Sequence, residues 1–245
     1  MPTVLITGCS SGFGHAIALH FLEQGWNVIA TLRTPQPGLL PASSRLRVLA
    51  LDVTDAASIA QAVEQAGDID VLVNNAGIGV LNPLEAIPMA TVREVFETNT
   101  LGTIALTQAL LPQFRQRKAG VIVNVTSTVT LVALPLLAVY TASKAAVNAF
   151  TEVLALELAS FGVRVRLVLP GRAPSTRFGE NARTRMAGAP EPYAALLEQM
   201  IASISDGGPV TYAEDVAQAV WQAATDPTSP MRLPAGADAV EWAKA

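Results

Sequence analysis

The chain has 245 residues, of which 51% are hydrophobic and 15% charged, and its formal net charge is −4. That length and apolar share suit one large α/β domain, or two small ones, with a core covered by helices on both sides. No Lys/Arg cluster offers a phosphate-backbone footprint, which argues against a nucleic acid partner. A single cysteine, Cys9, excludes an intrachain disulfide framework and fits a reducing cytoplasm. His15 and His20 stand five residues apart in one predicted helix, off a common face, and no acidic or cysteine cluster joins them into a metal site. The most apolar stretch, Leu131–Val139, carries Pro135 and is far too short to span a bilayer. A first strand beginning at Thr3 leaves no room for a signal peptide, so a cytoplasmic protein without a membrane partner is expected.

Thr-Val-Leu-Ile-Thr (3–7) is a β-branched apolar run that reads as a buried strand. The turn Gly8-Cys9-Ser10-Ser11-Gly12-Phe13-Gly14 then opens a helix with apolar positions at Ala16, Ile17, Leu19, Phe21 and Leu22. Glycines permit a tight turn and close backbone approach, and a helix N-terminus attracts pyrophosphate, so this segment reads as a phosphate cradle. Its spacing is Gly-x-x-x-Gly-x-Gly rather than the general Gly-x-Gly-x-x-Gly, and a purely structural connection is the competing reading.

Asn27–Leu32 is a second strand, followed by Arg33 where an NAD-binding unit carries an acid for the ribose hydroxyls. No Asp or Glu occurs between Glu23 and Asp52, which favours NADP over NAD; an exposed loop arginine without a ligand is the alternative. Residues 34–45 read as loop, Arg47–Leu51 as a third strand ending in Asp52-Val53, and Ala56–Ala66 as a helix. Asp70–Val73 is a fourth strand, with Asn74-Asn75-Ala76-Gly77 at its C-terminal end, the edge where open α/β sheets bind ligands. The small Ala76 and Gly77 would admit adenosine against the backbone with Asn74 bonding locally; a plain turn competes with this reading.

Thr91–Asn99 and Gly102–Arg117 read as helices, the second bent at Pro112. Val121–Thr126 is a fifth strand with Ser127 just beyond it, Ala138–Phe161 a long helix, and Val163–Leu169 a sixth strand closing on Pro170-Gly171. Strands and helices alternate without a linker, which predicts a single Rossmann-like domain: a doubly wound parallel sheet of about seven strands with helices on both faces. Residues 172–208 break the rhythm with recurring Pro and Gly; Tyr193–Ile204 is their only clear helical pattern, and the insertion reads as a substrate lid. Ala213–Ala224 is a last helix, capped by Thr211 or Tyr212, before a short strand around Met231–Leu233.

On the long helix, Tyr140 and Lys144 are one turn apart and share a face. A neighbouring ammonium favours phenolate, so the pair is expected to bring the phenol toward neutral pH. Taken alone, Tyr-x-x-x-Lys also describes an ordinary helix surface pair.

Together these residues resemble the short-chain dehydrogenase/reductase family, in its compact single-domain branch, over nearly the whole chain. The Thr7-Gly8-x-x-x-Gly12-x-Gly14 turn, the Asn74-Asn75-Ala76-Gly77 motif and Pro170-Gly171 are similar to the family's motifs, and Asn99, Ser127, Tyr140 and Lys144 fall where its catalytic tetrad stands. The resemblance implies hydride transfer between NADP(H) and a carbonyl or carbinol carbon, with NAD(H) the less favoured cofactor. Tyr140 would be the general acid or base, and Ser127 would hydrogen-bond the substrate oxygen. Lys144 would hold the nicotinamide ribose, and Asn99 a water linking Lys144 to solvent. Asp52 and Val53 would flank the adenine, with Arg33 at the basic position of NADP-preferring members.

The segment Pro170-Gly171-Arg172-Ala173-Pro174-Ser175-Thr176 departs from the family, its threonine one place late, so Thr176 is a displaced candidate for the carboxamide contact. Leu131, Val132, Leu134, Leu136 and Leu137, with Phe178, Met186, Tyr193, Leu196 and Met200 from the lid, are expected to enclose a rather apolar ketone, aldehyde or alcohol. Core packing explains several of these residues equally well. The family also admits a homo-oligomer, dimer or tetramer. An NADP-binding sensor on the same scaffold, or an epimerase or dehydratase of the wider family, are the alternatives.

Overall fold

The apolar runs Thr3–Thr7 (β1), Asn27–Leu32 (β2), Leu46–Ala50 (β3), Val71–Asn74 (β4), Gly120–Val125 (β5), Val163–Pro170 (β6) and Arg232–Ala235 (β7) pair into one parallel sheet, in the order β3-β2-β1-β4-β5-β6-β7. The computed structural model describes residues 1–183, 185, 188–204 and 207–244. The helices are Gly12–Glu23 (α1), Ala56–Ala66 (α2), Met89–Phe96 (α3), Gly102–Arg117 (α4), Ala138–Leu158 (α5), Phe178–Arg183 (α6), Ala194–Ile204 (α7), Ala213–Thr225 (α8) and Ala237–Trp242 (α9).

Alternating side chains on each strand face opposite layers, so the central strands are apolar on both sides. Val4 and Ile6 of β1 join Phe21 of α1 and Val220 of α8 in one core layer. Leu5 joins Leu106 and Leu110 of α4 and Leu154 of α5 in the other. Both layers are sealed: each of these side chains except Leu154, at 4%, is fully buried.

Strand order reverses between β1 and β4, and a doubly wound sheet opens a crevice at that point, outside the strands' C-terminal ends. Thr7 stitches the crevice floor. Its Oγ1 accepts the N–H groups of Asn75 and Ala76, both at 2.9 Å, while Asn75 Nδ2 donates to the Thr7 carbonyl at 2.8 Å.

Several boundaries differ from expectation. β3, β4 and β5 are displaced by one residue, and α9 and α6 were not legible. The cap of α8 is Tyr212, whose N–H donates to Asp215 Oδ2 at 2.9 Å, because Thr211 is buried in another network. The two helices expected across Thr91–Arg117 are one continuous helix from Met89, joined through a π turn at Glu97–Leu101. Among the described residues no helix is long and apolar enough to cross a membrane.

Candidate active site

Two loops form the crevice by close backbone approach. Gly8 follows β1 with φ 75°, and a Cβ on it would lie 3.0 Å from the Ala76 Cα after β4. A Cβ on Gly14 would collide with the Gly8 carbonyl, so α1 starts directly against the turn. Ser11, the N-cap of α1, spends no side-chain bond on the helix, which leaves the first-turn N–H groups available to an anion.

A groove of about 760 Å³ runs from this turn, a volume suited to a dinucleotide. Gly8, Ser10, Ser11, Gly12 and Phe13 line its first part, and Arg33, Asp52 and Val53 the next. Asn75, Ala76, Gly77 and Ile78 form the far wall, while Thr176, Arg177 and Phe178, from the segment after β6, line the remaining side. Thr176 Cβ lies 3.4 Å from where a Gly12 Cβ would stand, so the late threonine does reach the glycine turn. The Thr54 backbone N–H and hydroxyl bind Asp52 and hold its carboxyl below the usual range, with a smaller contribution from the charge of Arg33.

Besides the tetrad candidates, four candidate residues lie outside the groove lining. Gly14 sits behind Gly8, and Pro170 and Gly171 are packed at the end of β6. Asn74 is turned into the interior, where its Nδ2 donates to Asn124 Oδ1 at 2.8 Å and Thr107 Oγ1 at 3.0 Å. Strand parity explains this: Asn74 is still paired within β4, and Asn75 is the first residue free to face the crevice.

The tetrad candidates converge just below the groove. Ser127 lies two residues beyond β5 and Tyr140 in the first turn of α5; both are 7% exposed, and the Ser127 hydroxyl lies against the Tyr140 phenol. Lys144 is 5% exposed and its Nζ donates to the Val125 carbonyl at 3.0 Å. Burial brings its pKa down from the ordinary lysine value to about 8.

Burial pushes the Tyr140 phenol well above its ordinary value, and the neighbouring Ser127 hydroxyl opposes that only in part. The expectation that Lys144 draws the phenol toward neutral pH is therefore corrected. Desolvation disfavours phenolate more than the hydroxyl contact favours it.

Asn99 lies in the π turn, 1% exposed. Its Oδ1 accepts the Ile78 N–H at 2.8 Å, and its Nδ2 donates to the Ile78 carbonyl at 2.9 Å and to Ser143 Oγ at 3.0 Å. A Cβ on Gly77 would stand 3.2 Å from Asn99 Oδ1 and 3.3 Å from Lys144 Nζ, so both groups face the same point beneath the groove wall.

Phe178 connects groove and tetrad. Its ring centroid is 5.3 Å from that of Tyr140, and a Cβ on Gly79 would lie 2.6 Å from its Cζ. Leu136 is buried and left-handed at φ 66°, while Leu131, Val132, Leu134 and Leu137 are partly buried. Of the other residues expected in a lid, Met200 is buried, Tyr193 and Leu196 are partly buried, and Met186 lies outside the described residues.

The model of the short chain dehydrogenase family matches residues 2–187. The chain belongs to the short-chain dehydrogenase family. It is 41% identical to bovine retinol dehydrogenase 8 over 69% of this chain and 58% of that protein. It is 43% identical to mouse 17-beta-hydroxysteroid dehydrogenase type 1 over 73% of this chain and 56% of that protein. The matched region therefore spans little more than half the length of these two relatives.

Among solved structures, a short-chain dehydrogenase from Streptomyces avermitilis superposes with TM-score 0.83 at 32% identity, covering 99% of this chain and 90% of that one. A serine dehydrogenase complexed with NADP+ gives 0.81 at 29% identity, over 94% and 93% of the two chains. A family member from Burkholderia phymatum in complex with NAD gives 0.81 at 25%, over 94% and 88%. The family's oxidoreductase scaffold thus accommodates both nicotinamide cofactors.

Sequence reasoning missed Thr7 and Asn75 as the stitch between the loops, and Ser143 as a partner of Asn99. Thr7 and Asn75 stand inside quoted motifs, but only the parity of β1 and β4 shows which way they point. Ser143 carries no signal, since its Oγ reaches Asn99 across a long sequence separation.

Proposed function

We propose that the chain is an NADP(H)-dependent oxidoreductase acting on the carbonyl or secondary alcohol of a rather apolar small molecule. The observation that carries this reading is the pair of buried Ser127 and Tyr140 hydroxyls, side by side just below a groove whose size and glycine turn suit a dinucleotide. The groove fits such a cofactor because Gly8 and Gly14 let the loops that shape it approach without a Cβ between them, and α1 keeps its first N–H groups unspent.

When bound, the cofactor supplies or accepts the hydride. Gly8, Ser10, Ser11, Gly12, Phe13 and the α1 terminus shaped by Gly14 would hold its pyrophosphate. Arg33 would bind the 2′-phosphate, Asp52 and Val53 the adenine, and Ala76 and Gly77 the adenosine. Tyr140 and Lys144 would hold the nicotinamide ribose, with Pro170, Gly171 and Thr176 toward the carboxamide. Asn74 supports the wall from behind.

Ser127 orients the substrate oxygen, and Tyr140 delivers the proton in reduction or removes it in oxidation. The raised phenol pKa keeps Tyr140 protonated at neutral pH, which suits the acid role in carbonyl reduction. Asn99 Oδ1 retains a lone pair beyond its Ile78 bond, and would hold a water linking Lys144 to solvent.

NADP is supported by Arg33 on the groove and by the absence of an acid after β2. An apolar substrate is supported by the leucines before Tyr140, by Phe178 against its ring, and by relatives named for retinol and hydroxysteroids. A panel of ketones and alcohols, from small polar to steroid-sized, assayed with NADPH and NADH, tests both points. Turnover confined to small polar substrates would overturn the apolar reading, and no turnover across the panel would overturn the enzyme.

A further inference from the structure

Asp238 is a buried carboxylate that the chemistry above does not use. It stands in the first turn of α9, 2% exposed, far along the chain from every residue assigned to the site. Burying a carboxylate costs several kcal/mol unless donors replace its water. Here the donors come from the segment that leads into the lid. Asp238 Oδ2 accepts the Arg172 N–H at 2.5 Å, and Oδ1 lies 2.7 Å from the Thr211 hydroxyl.

Thr211, fully buried, completes the knot. Its Oγ1 accepts the Gly171 N–H at 2.9 Å, and its own N–H donates to the Arg172 carbonyl at 2.7 Å. The hydroxyl has one proton to give, to Asp238 Oδ1 or to the Ala235 carbonyl at 2.8 Å. Two glycines are cut away to admit these side chains. A Cβ on Gly171 would collide with the Asp238 carboxylate, and one on Gly236, at φ 105°, with the Thr211 side chain.

On the other side, Thr128 Oγ1 donates to the Pro170 carbonyl at 3.2 Å, beside Ser127. The segment 170–172 is thus pinned from both sides before the chain turns into the groove. Downstream, the Ala173 carbonyl accepts both the N–H and hydroxyl of Thr176, at 3.1 and 2.9 Å, and Thr176 lies against Gly12. Only three residues separate the anchored Arg172 from Thr176, so the anchor sets where Thr176, Arg177 and Phe178 enter the groove.

We propose that Asp238, through its bond to the Arg172 N–H and its contact with Thr211, is a positioning residue that fixes the root of the lid and thereby the cofactor-binding position of Thr176. The proposal rests on the cofactor groove assigned above. Gly171 then also serves to seat Asp238.

The test uses the full chain and two substitutions, Asp238→Ala and Asp238→Asn. Alanine removes the acceptor for the Arg172 N–H. Asparagine keeps one, provided Thr211 turns its proton toward Ala235. Loss of a buried backbone bond at the root is expected to raise the NADPH Kd by about tenfold in Asp238→Ala. Tryptic cleavage after Arg177 is expected to quicken in the same variant. Asp238→Asn should stay within about threefold of the parent on both readouts. Thr211→Val, which also unpins the Gly171 N–H, should behave like Asp238→Ala and serves if the alanine variant does not fold.

A variant with a lowered unfolding midpoint but parental NADPH Kd and parental cleavage would reduce Asp238 to a fold-stabilising residue and overturn the proposal. If the parent chain binds neither NADPH nor NADH, the groove assignment fails instead. Cleavage at Arg177 then still decides whether Asp238 holds the lid.

Discussion

Asn99 grips the Ile78 backbone from both sides, accepting its N–H at 2.8 Å and donating to its carbonyl at 2.9 Å. The π turn makes this possible by placing an asparagine at the bottom of the groove wall, where an unbroken α-helix would rotate it away. Asn99→Ala strips three bonds from a buried site and should cost about 2–4 kcal/mol of stability by urea denaturation. Asn99→Asp should lose at least as much, because its second oxygen opposes the Ile78 carbonyl. Parental stability in both variants would show that the clamp does not hold the wall.

Lys144 gives a stability signature with a defined sign. Its folded pKa, about 8, lies below the ordinary lysine value of 10.5, so between those values the unfolded chain binds more protons than the folded one. The penalty for burying the ammonium is then fully present below pH 8 and is relieved as pH rises toward 10.5. Relative to Lys144→Met, the parent should gain up to about 3 kcal/mol between pH 7 and pH 10. Chemical denaturation of both proteins across that range checks this, and a constant difference would contradict it.

In the proposed reading Arg33 sets the cofactor choice. Arg33→Ala should lower the NADPH-over-NADH preference in kcat/KM by at least about tenfold, through loss of a charge-assisted contact to the 2′-phosphate. Steady-state kinetics with both cofactors decide it, and an unchanged ratio would remove Arg33 from the cofactor site.

Phe178 and Gly79 test the substrate wall from opposite sides. Phe178→Ala opens the space beside Tyr140, while Gly79→Ala puts a methyl 2.6 Å from the ring's Cζ and drives it off its seat. Both should shift kcat/KM toward bulkier ketones by about tenfold or more relative to small ones. A ratio unchanged in both variants would show that the ring does not bound the substrate.

How much of this was legible follows from what each residue answers to. Runs such as Thr3–Thr7 and Val163–Leu169 are apolar because they are buried on both faces, and that alone predicts parallel strands. The glycine turn was legible for the same local reason, since its close approaches require glycine. Asn74 and Asn75 show the limit of motif reading. The motif contains both, but strand parity turns the first inward and the second to the groove. The π turn at Glu97–Leu101 has no residue signature, and without it two helices were read where one continues. Asp238 and Thr211 were invisible because their partners, Arg172 and Gly171, lie 66 and 40 residues away. The Tyr140 pKa failed for another reason. Spacing put a lysine one turn away, but burial acts on the phenol more strongly than that neighbour does.

Proton delivery by Tyr140 is the central claim, and Tyr140→Phe tests it most directly because only the hydroxyl is removed from a buried ring. The unfolding midpoint should change little and the cofactor should still bind through its pyrophosphate and adenosine contacts, while ketone-dependent NADPH oxidation at saturating cofactor should fall by about 10²–10⁴-fold. Parental oxidation rates in that variant would contradict the account.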